Sequence, residues 1–129
     1  KMPIFKTHNL SVADFTENKN IYYLFPDNWS HQQGSNIVKI LRDSEHGIPL
    51  YTGLSPIKPF DEDRGMRQLD ESLEIVKNVL MQKGLVIVLI NEFYQDLDYD
   101  MGEPYEKEIL DNVHELLSIG CPKDVKIAL

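Results

Sequence analysis

The segment at positions 21–49 decides the fold, and it begins with Ile-Tyr-Tyr-Leu-Phe-Pro-Asp-Asn-Trp at positions 21–29. A polar turn with Gly-Ser-Asn at positions 34–36 follows, then Ile-Val-Lys-Ile-Leu-Arg at 37–42 and Gly-Ile-Pro at 47–49. An apolar run, a turn, a short periodic run and a second apolar run predict strand, loop, helix and strand. In open α/β sheets such a loop lies at the carboxyl end of a strand, where ligands usually bind.

The ends of these elements follow from single residues. Pro26 lacks an amide donor and is predicted to end a strand over residues 21–25. Ser35 and Asn36 are both competent N-caps for a helix over residues 37–42. The other elements predicted in this half are a strand over residues 48–52 and an extended, proline-containing surface loop over residues 53–60.

Two stretches downstream carry the strongest periodic signals. Apolar residues recur at steps of three and four over residues 62–83, which predicts a helix with one buried stripe. Residues 85–90 are continuously apolar and predict a buried, parallel central strand. The stripe consists of Met66, Leu69, Leu73, Val76 and Leu80. The remaining predicted elements are a short strand at 3–5, an acidic loop at 91–102, a helix at 104–118 and an edge strand at 124–129.

Strands that alternate with helices predict one α/β domain over residues 1–129, a three-layer sandwich with a mostly parallel central sheet. The longest purely apolar run covers only residues 85–90, and no signal-peptide pattern precedes it, so we expect no membrane association. The single Cys121 excludes an internal disulfide and a cysteine-built zinc site, which favours a cytoplasmic location. The net charge of -8 argues against nucleic-acid binding and fits a basic protein partner or mimicry of a polyanion.

The loop after the first strand holds candidate ligand residues. Asp27 and Asn28 could orient a ribose or a water through carboxylate and amide hydrogen bonds, or they close an Asx-type turn. Trp29 could stack on a base, or it contacts a partner protein. His31 could serve in acid–base chemistry, or it is a surface histidine.

The predicted helix start at the turn supplies a second set. The amides of Gly34, Ser35 and Asn36 form a potential anion site, although plain helix capping explains the same residues. Arg42 could pair with a phosphate, or it serves the helix dipole and a local salt bridge.

Metal and cofactor chemistry have weak support. Asp96, Asp98 and Asp100 are spaced as in a calcium loop, but the turn glycine and bidentate glutamate positions hold Met101 and Lys107. The histidines show no metal-ligand spacing, and the chain carries no nucleophile elbow, phosphate loop or dinucleotide fingerprint. We therefore expect no metal and no cofactor, and the sequence leans away from an enzyme.

The central segment resembles a family of small bacteriophage proteins. In that family a strand ends in Phe-Gly-Asp-Asn, a glycine-rich turn and a short helix ending in Arg follow, and a Gly-Ile-Pro strand comes next. The architecture is similar to that of macrodomains, which bind ADP-ribose on loops at strand ends. The matching residues are Phe25, Asp27, Asn28, Arg42, Gly47, Ile48 and Pro49.

The chain departs from that pattern at several positions. Pro26 replaces the motif glycine, and Ser35 and Asn36 replace the paired glycines of the turn. Such glycines allow the backbone to approach a phosphate closely. In place of the family's later glycine-rich loop, this chain has an acidic segment at residues 91–102. Acidic loops repel phosphates. These departures favour a pocket adapted to another use.

Three functions follow from these observations. The first is a phage-type interaction protein that inhibits or modulates a host factor, with a host or phage protein as partner through the acidic face and Trp29. The second is a macrodomain-like module that holds ADP-ribose or a related nucleotide between the Asp27 and Asn91 loops. The third is a hydrolase of such a nucleotide, with Asp27 or Asn28 positioning water. The missing glycines, the acidic loop and the absent catalytic motif favour the first two.

Overall fold

The chain alternates strands and helices. The computed structural model describes residues 4–5, 20–82, 85–97, 102, 104–118 and 125–128. No helix within these ranges combines the length and apolar character needed to cross a membrane. The elements in chain order are β1 (Ile4–Phe5), β2 (Ile21–Asn28), α1 (Asn36–Arg42), β3 (Gly47–Gly53), α2 (Glu62–Met81), β4 (Leu85–Leu89), α3 (Ile90–Asp96), α4 (Pro104–Ser118) and β5 (Val125–Ala128).

The described strands form one parallel sheet. Their order is β1-β5-β4-β2-β3, and the four neighbouring pairs are all parallel in the described residues. The predicted α/β class and the central parallel position of β4 are therefore confirmed. The predicted edge strand at 124–129 is wrong in its position, because β5 lies between β4 and β1. The predicted short strand at 3–5 is confirmed at β1, which is two residues long.

Apolar side chains are buried on both faces of the sheet. Leu24 of β2 belongs to one cluster, while its neighbours Tyr23 and Phe25 belong to the other. Successive strand residues point to opposite faces, so the two clusters lie on opposite sides. Val38 and Leu41 of α1 join the second cluster. Helices α2 and α4 cover the first through Leu69, Val76, Tyr105, Ile109 and Leu110, which produces three layers.

Helix starts follow local capping chemistry. The Ser35 hydroxyl oxygen accepts a hydrogen bond from the Val38 amide at 3.3 Å, so Ser35 is the N-cap of α1. Asp61 accepts from the Arg64 amide at 2.9 Å and serves α2 in the same way. Pro104 occupies the first position of α4, where its missing donor costs nothing.

Helices α2 and α4 pack closely because of one glycine. A Cβ atom on Gly65 would lie 2.7 Å from Cγ of Tyr105, so a larger residue would force the helices apart. The Tyr105 hydroxyl accepts a hydrogen bond from the Phe60 amide at 3.1 Å. The predicted stripe of α2 is confirmed at Leu69 and Val76, which are buried. The helix ends at Met81, before the predicted position 83.

The predicted end of the first strand at Pro26 is wrong. β2 continues through Pro26 to Asn28 in register with β3. The Tyr23 amide donates to the His46 carbonyl on the β3 side. Backbone donors alternate along a strand, so the donor missing at Pro26 faces the β4 side. The pairing of β2 with β4 ends at Leu24, and proline therefore removes a donor where no described strand would accept it.

The predicted loop at 91–102 begins instead with a helix. β4 ends at Leu89, and α3 follows at once as Ile90–Asp96. Phe93 and Leu97 are both buried, four positions apart, and the Leu97 amide donates to the Phe93 carbonyl at 2.9 Å. That helical spacing decides the local structure. Asp98, Asp100, Met101, Cys121 and position 84 lie outside the described residues.

The outer edge of β3 is protected. Pro49 has no amide donor, and its carbonyl accepts a hydrogen bond from the Ser72 hydroxyl at 3.0 Å. Ser72 is a buried residue of α2. A proline and a covering helix are common means of preventing strand addition at a sheet edge.

Candidate functional site

The carboxyl ends of β2 and β4 meet at a topological switch point. From β2 the chain passes through α1 to β3 on one side, and from β4 it passes through α3 and α4 to β5 on the other. Ligands in open α/β sheets bind at such a point. A cleft of about 240 Å³ lies there. Its lining residues are Pro26, Asp27, Asn28, Gln32, Gln33, Gly34, Ser35, Val38, Arg42, Pro56, Glu92, Gln95 and Asp96.

A buried ion pair forms one wall of the cleft. Asp27 is 4% exposed, and its carboxylate accepts from Arg42 Nη2 at 2.7 Å and from Arg42 Nε at 3.1 Å. His31 Nδ1 lies 3.3 Å from the same carboxylate. The backbone amide of Asn28 donates a hydrogen bond to the Asp27 carboxylate at 2.8 Å. Arg42 Nη2 also donates to the Gln33 carbonyl at 2.7 Å. Arg42 therefore makes the local salt bridge, and Asp27 anchors the loop to α1.

The loop after β2 is closed by its own side chains. Asn28 Nδ2 donates to the Gln32 carbonyl at 2.7 Å, and Asn28 Oδ1 accepts from the Gln32 amide at 3.2 Å. His31, Gln33 and Gly34 have positive φ values of 55°, 57° and 112°. A left-handed conformation costs a residue other than glycine about 1–3 kcal/mol. The Asn28 side chain closes this strained loop through Gln32, four positions on, whereas an Asx turn bonds the backbone two positions on.

The start of α1 already has an acidic neighbour. The Ser35 hydroxyl donates to Glu92 Oε1 at 2.7 Å while its oxygen accepts from the Val38 amide. A carboxylate of α3 thus lies beside the helix start at which the sequence predicted an anion site. Electrostatic repulsion from Glu92 opposes a phosphate in that position.

Asp96 is a carboxylate of the cleft whose pKa is raised. The residue is exposed as a whole, and its carboxylate accepts a part-buried hydrogen bond from the Thr52 hydroxyl. Burial raises the pKa of Asp96, and the negative charges of Glu106, Asp27 and Glu92 raise it further. The hydrogen bond from Thr52 opposes this increase in pKa. A carboxyl group in a cleft whose pKa is raised by burial and by neighbouring charges is a candidate for a binding role.

We expect Asp96→Asn to flatten the pH dependence of stability. The pKa of Asp96 is higher in the folded than in the unfolded state, so the folded protein binds more protons at pH values between these two pKa values. Its contribution to the free energy of unfolding is full below the unfolded pKa and is lost as pH rises through the folded pKa. Urea denaturation at several pH values measures the slope of the free energy of unfolding against pH. Asp70→Asn, at an exposed position of α2, should leave the slope unchanged, and an unaltered slope in Asp96→Asn would contradict the assignment.

A second lobe continues the cleft. It measures about 270 Å³ and shares Asn28, Pro56 and Asp96 with the first lobe. We call the two lobes together the carboxyl-edge groove. Its second lobe is lined by Asn28, Thr52, Gly53, Ser55, Pro56, Ile57, Lys58, Pro59, Asp96, Leu97, Gly102, Tyr105 and Glu106.

The charge of the carboxyl-edge groove is acidic. Asp27 and Arg42 pair with each other. The lining also includes the acidic residues Glu92, Asp96 and Glu106 and the basic residue Lys58. Within the described ranges, no three histidine, cysteine or acidic residues are arranged to hold a metal ion. A cationic or neutral polar ligand therefore suits this groove best.

Trp29 lies on the same edge and is held in place. It is 47% exposed, yet its ring contacts Tyr51 edge-on at 5.1 Å between centroids. The Arg64 guanidinium lies 5.6 Å from the centroid of the Trp29 ring and 5.3 Å from that of Phe60. The Trp29 amide donates to the Gly53 carbonyl at 2.8 Å. The result is an exposed, oriented indole.

The structure brings most predicted site residues together. Asp27, Asn28, Gly34, Ser35 and Arg42 line the first lobe, whereas Trp29 and Asn36 line neither lobe. Asn91 lies in α3, and its side chain is outside the described part. Sequence reasoning missed Thr52, Glu92 and Gln95, and it considered Asp96 only as a calcium ligand and not as part of this cleft. The spacing of four between Glu92 and Asp96 was the available signal, since it places both on one face of a helix.

Comparison with known proteins finds no matching family model, curated protein or solved structure.

Proposed function

We propose that this protein is an interaction module that binds a partner protein through the carboxyl edge of its sheet. The role fits the resemblance to small bacteriophage proteins, with modulation of a host factor as the outcome. The observation that carries the proposal is Trp29, which is half exposed but fixed by Tyr51 and Arg64. A tryptophan that is ordered before binding loses little conformational entropy in a complex, and tryptophan is enriched among residues that dominate binding energy.

The negative charge of this protein favours a partner with a basic surface. The chain carries a net charge of -8, and the carboxyl-edge groove beside Trp29 is acidic. Complementary charge accelerates association and rejects acidic partners. A nucleic acid or an anionic membrane would be repelled by the same field.

We expect the partner to bind through side-chain contacts and not through backbone pairing with β3. Strand addition at β3 is disfavoured, because Pro49 lacks a donor and its carbonyl already accepts from Ser72. Ile57 is 93% exposed, lines the second lobe of the groove, and supplies a further apolar contact for a partner. We therefore infer an interface of an aromatic anchor, an apolar rim and an acidic groove.

We expect Trp29→Ala to abolish capture of the partner. Affinity purification from bacterial lysate identifies proteins retained by the wild type, and titration of the purified candidate then gives the Kd. Loss of a central tryptophan costs about 2 kcal/mol or more, or roughly 30-fold in Kd. Ile75→Ala is the matched control, because Ile75 is 46% exposed on α2. Equal retention of one partner by wild type and Trp29→Ala would refute the proposal.

A macrodomain-like module for ADP-ribose or a related nucleotide, binding or hydrolysing it, is the second candidate. It is supported by the position of the groove at the switch point and by Arg42 and Gly34 in its wall. The pairing of Arg42 with Asp27 and the carboxylate of Glu92 at the α1 start both oppose a phosphate. Calorimetric titration with ADP-ribose separates the candidates, since a Kd of about 1 μM or lower, roughly -8 kcal/mol, would favour the nucleotide.

A further inference from the structure

We propose that the carboxyl-edge groove holds an extended, lysine- or arginine-bearing segment of the partner, with one cationic side chain at the junction of the two lobes. This inference rests on the proposed function and names the part of the partner that the groove accepts. Trp29 lines neither lobe, so the groove and the Trp29 contact are separate parts of one interface.

The dimensions of the groove favour an elongated occupant. The lobes measure about 240 and 270 Å³, and Asn28, Pro56 and Asp96 belong to both. Ligand pockets usually measure about 300–1,000 Å³, so each lobe alone is small and the two together fall within that range. An occupant that fills both lobes must pass beside Asp96, because Asp96 lines both of them. A chain segment does so with consecutive side chains, while a single small ion would occupy one point.

The carboxylates are positioned before any ligand arrives. The Ser35 hydroxyl donates to Glu92 in the first lobe, and the Thr52 hydroxyl donates to Asp96 at the junction. Glu106 of α4 lines the second lobe. Carboxylates from α3 and α4 therefore converge on the groove, and fixed groups lose little entropy when a cation binds.

The remaining lining matches a peptide better than a free cation. Gln32, Gln33 and Gln95 line the first lobe, and side-chain amides can both donate to and accept from peptide groups. Pro56, Ile57, Pro59 and Leu97 line the second lobe with apolar surface. The aliphatic stem of a lysine or arginine packs on such surface while its charged end reaches a carboxylate.

The test uses a short synthetic peptide in which lysine and glycine alternate. Its titration into isotope-labelled protein is followed through backbone amide chemical shifts, which also report weak binding. We expect the shifts to map to residues of both lobes. A peptide in which glutamate and glycine alternate should produce no such shifts, because the groove is acidic.

Two variants with equal net charge make the test specific. The groove variant combines Glu92→Gln, Asp96→Asn and Glu106→Gln, and we expect it to raise the Kd of the lysine peptide about tenfold or more. The control variant combines Asp70→Asn, Glu71→Gln and Glu74→Gln at exposed positions of α2, and its Kd should stay within about twofold of wild type. Thermal unfolding of each variant checks that it is folded.

The possible outcomes are distinct. Equal weakening in both variants would mean that only the overall charge attracts the peptide, and this would overturn the inference. The absence of shifts with the lysine peptide, or equal shifts with spermidine at the same charge concentration, would also overturn it. If the inference fails while capture of a partner still depends on Trp29, the proposed function stands. If the peptide binds the groove but no partner depends on Trp29, the proposed function fails alone.

Discussion

Val88→Asp is expected to unfold the domain. Val88 is 0% exposed in β4, in register with Leu24 of β2 and Ile127 of β5. An aspartate there would place a carboxylate on the sheet face that α2 and α4 cover. An unpaired buried charge costs several kcal/mol, which is comparable with the roughly 5–15 kcal/mol that stabilises a domain. Far-ultraviolet circular dichroism during heating measures the result.

The same change at the surface provides the control. Ile75→Asp introduces a carboxylate at a half-exposed position of α2, where water solvates the charge. We expect that variant to melt cooperatively within a few degrees of wild type, since surface changes are usually within about 0.5 kcal/mol. A Val88→Asp protein that melts cooperatively near the wild-type temperature would show that β4 is not the buried strand.

Elements with strong local signals could be predicted from the sequence. The continuous apolar run predicted β4, the N-cap Ser35 predicted the start of α1, and the proline at position 104 predicted the start of α4. The predictions were wrong where contacts between residues distant in sequence decide where a strand ends or where it lies in the sheet. Pro26 ends a strand only if a neighbour needs its donor, and the sheet order decides that. β5 is interior only because two residues near the start of the chain pair with it.

The candidate site was predictable for the half that follows β2. Asp27, Asn28 and Arg42 lie within one local segment, and turn chemistry indicated where they meet. The other half depends on which carboxylates of residues 91–102 face the groove, and a loop prediction leaves that open. The helix α3 directs Glu92 and Asp96 to the groove, and the contact between Ser35 and Glu92 spans 57 positions. No local pattern encodes such a contact.

Arg42→Ala is expected to destabilise the protein strongly. The Asp27 side chain is 1% exposed and the Arg42 side chain 14%, so removal of the guanidinium leaves a carboxylate buried without its main partner. Such a loss typically costs about 3–5 kcal/mol. The change also removes the donor to the Gln33 carbonyl, which supports the strained loop. Denaturation in urea gives the free energy of unfolding.

A double-mutant cycle separates two contributions to the destabilisation, the loss of the ion pair between Asp27 and Arg42 and the burial of an unpaired Asp27 carboxylate. If the unpaired Asp27 carboxylate causes most of the cost, Asp27→Asn combined with Arg42→Ala should be more stable than Arg42→Ala alone, with coupling of about 0.5–3 kcal/mol. Lys77→Ala is the control, because Lys77 and Glu74 form an exposed pair 4.0 Å apart that contributes about 0–1 kcal/mol. A loss in Arg42→Ala no larger than that in Lys77→Ala would show that Asp27 finds other partners. In that case the loop that carries Trp29 would not depend on Arg42, and the Trp29 surface would have to be held by Tyr51 and Arg64 alone.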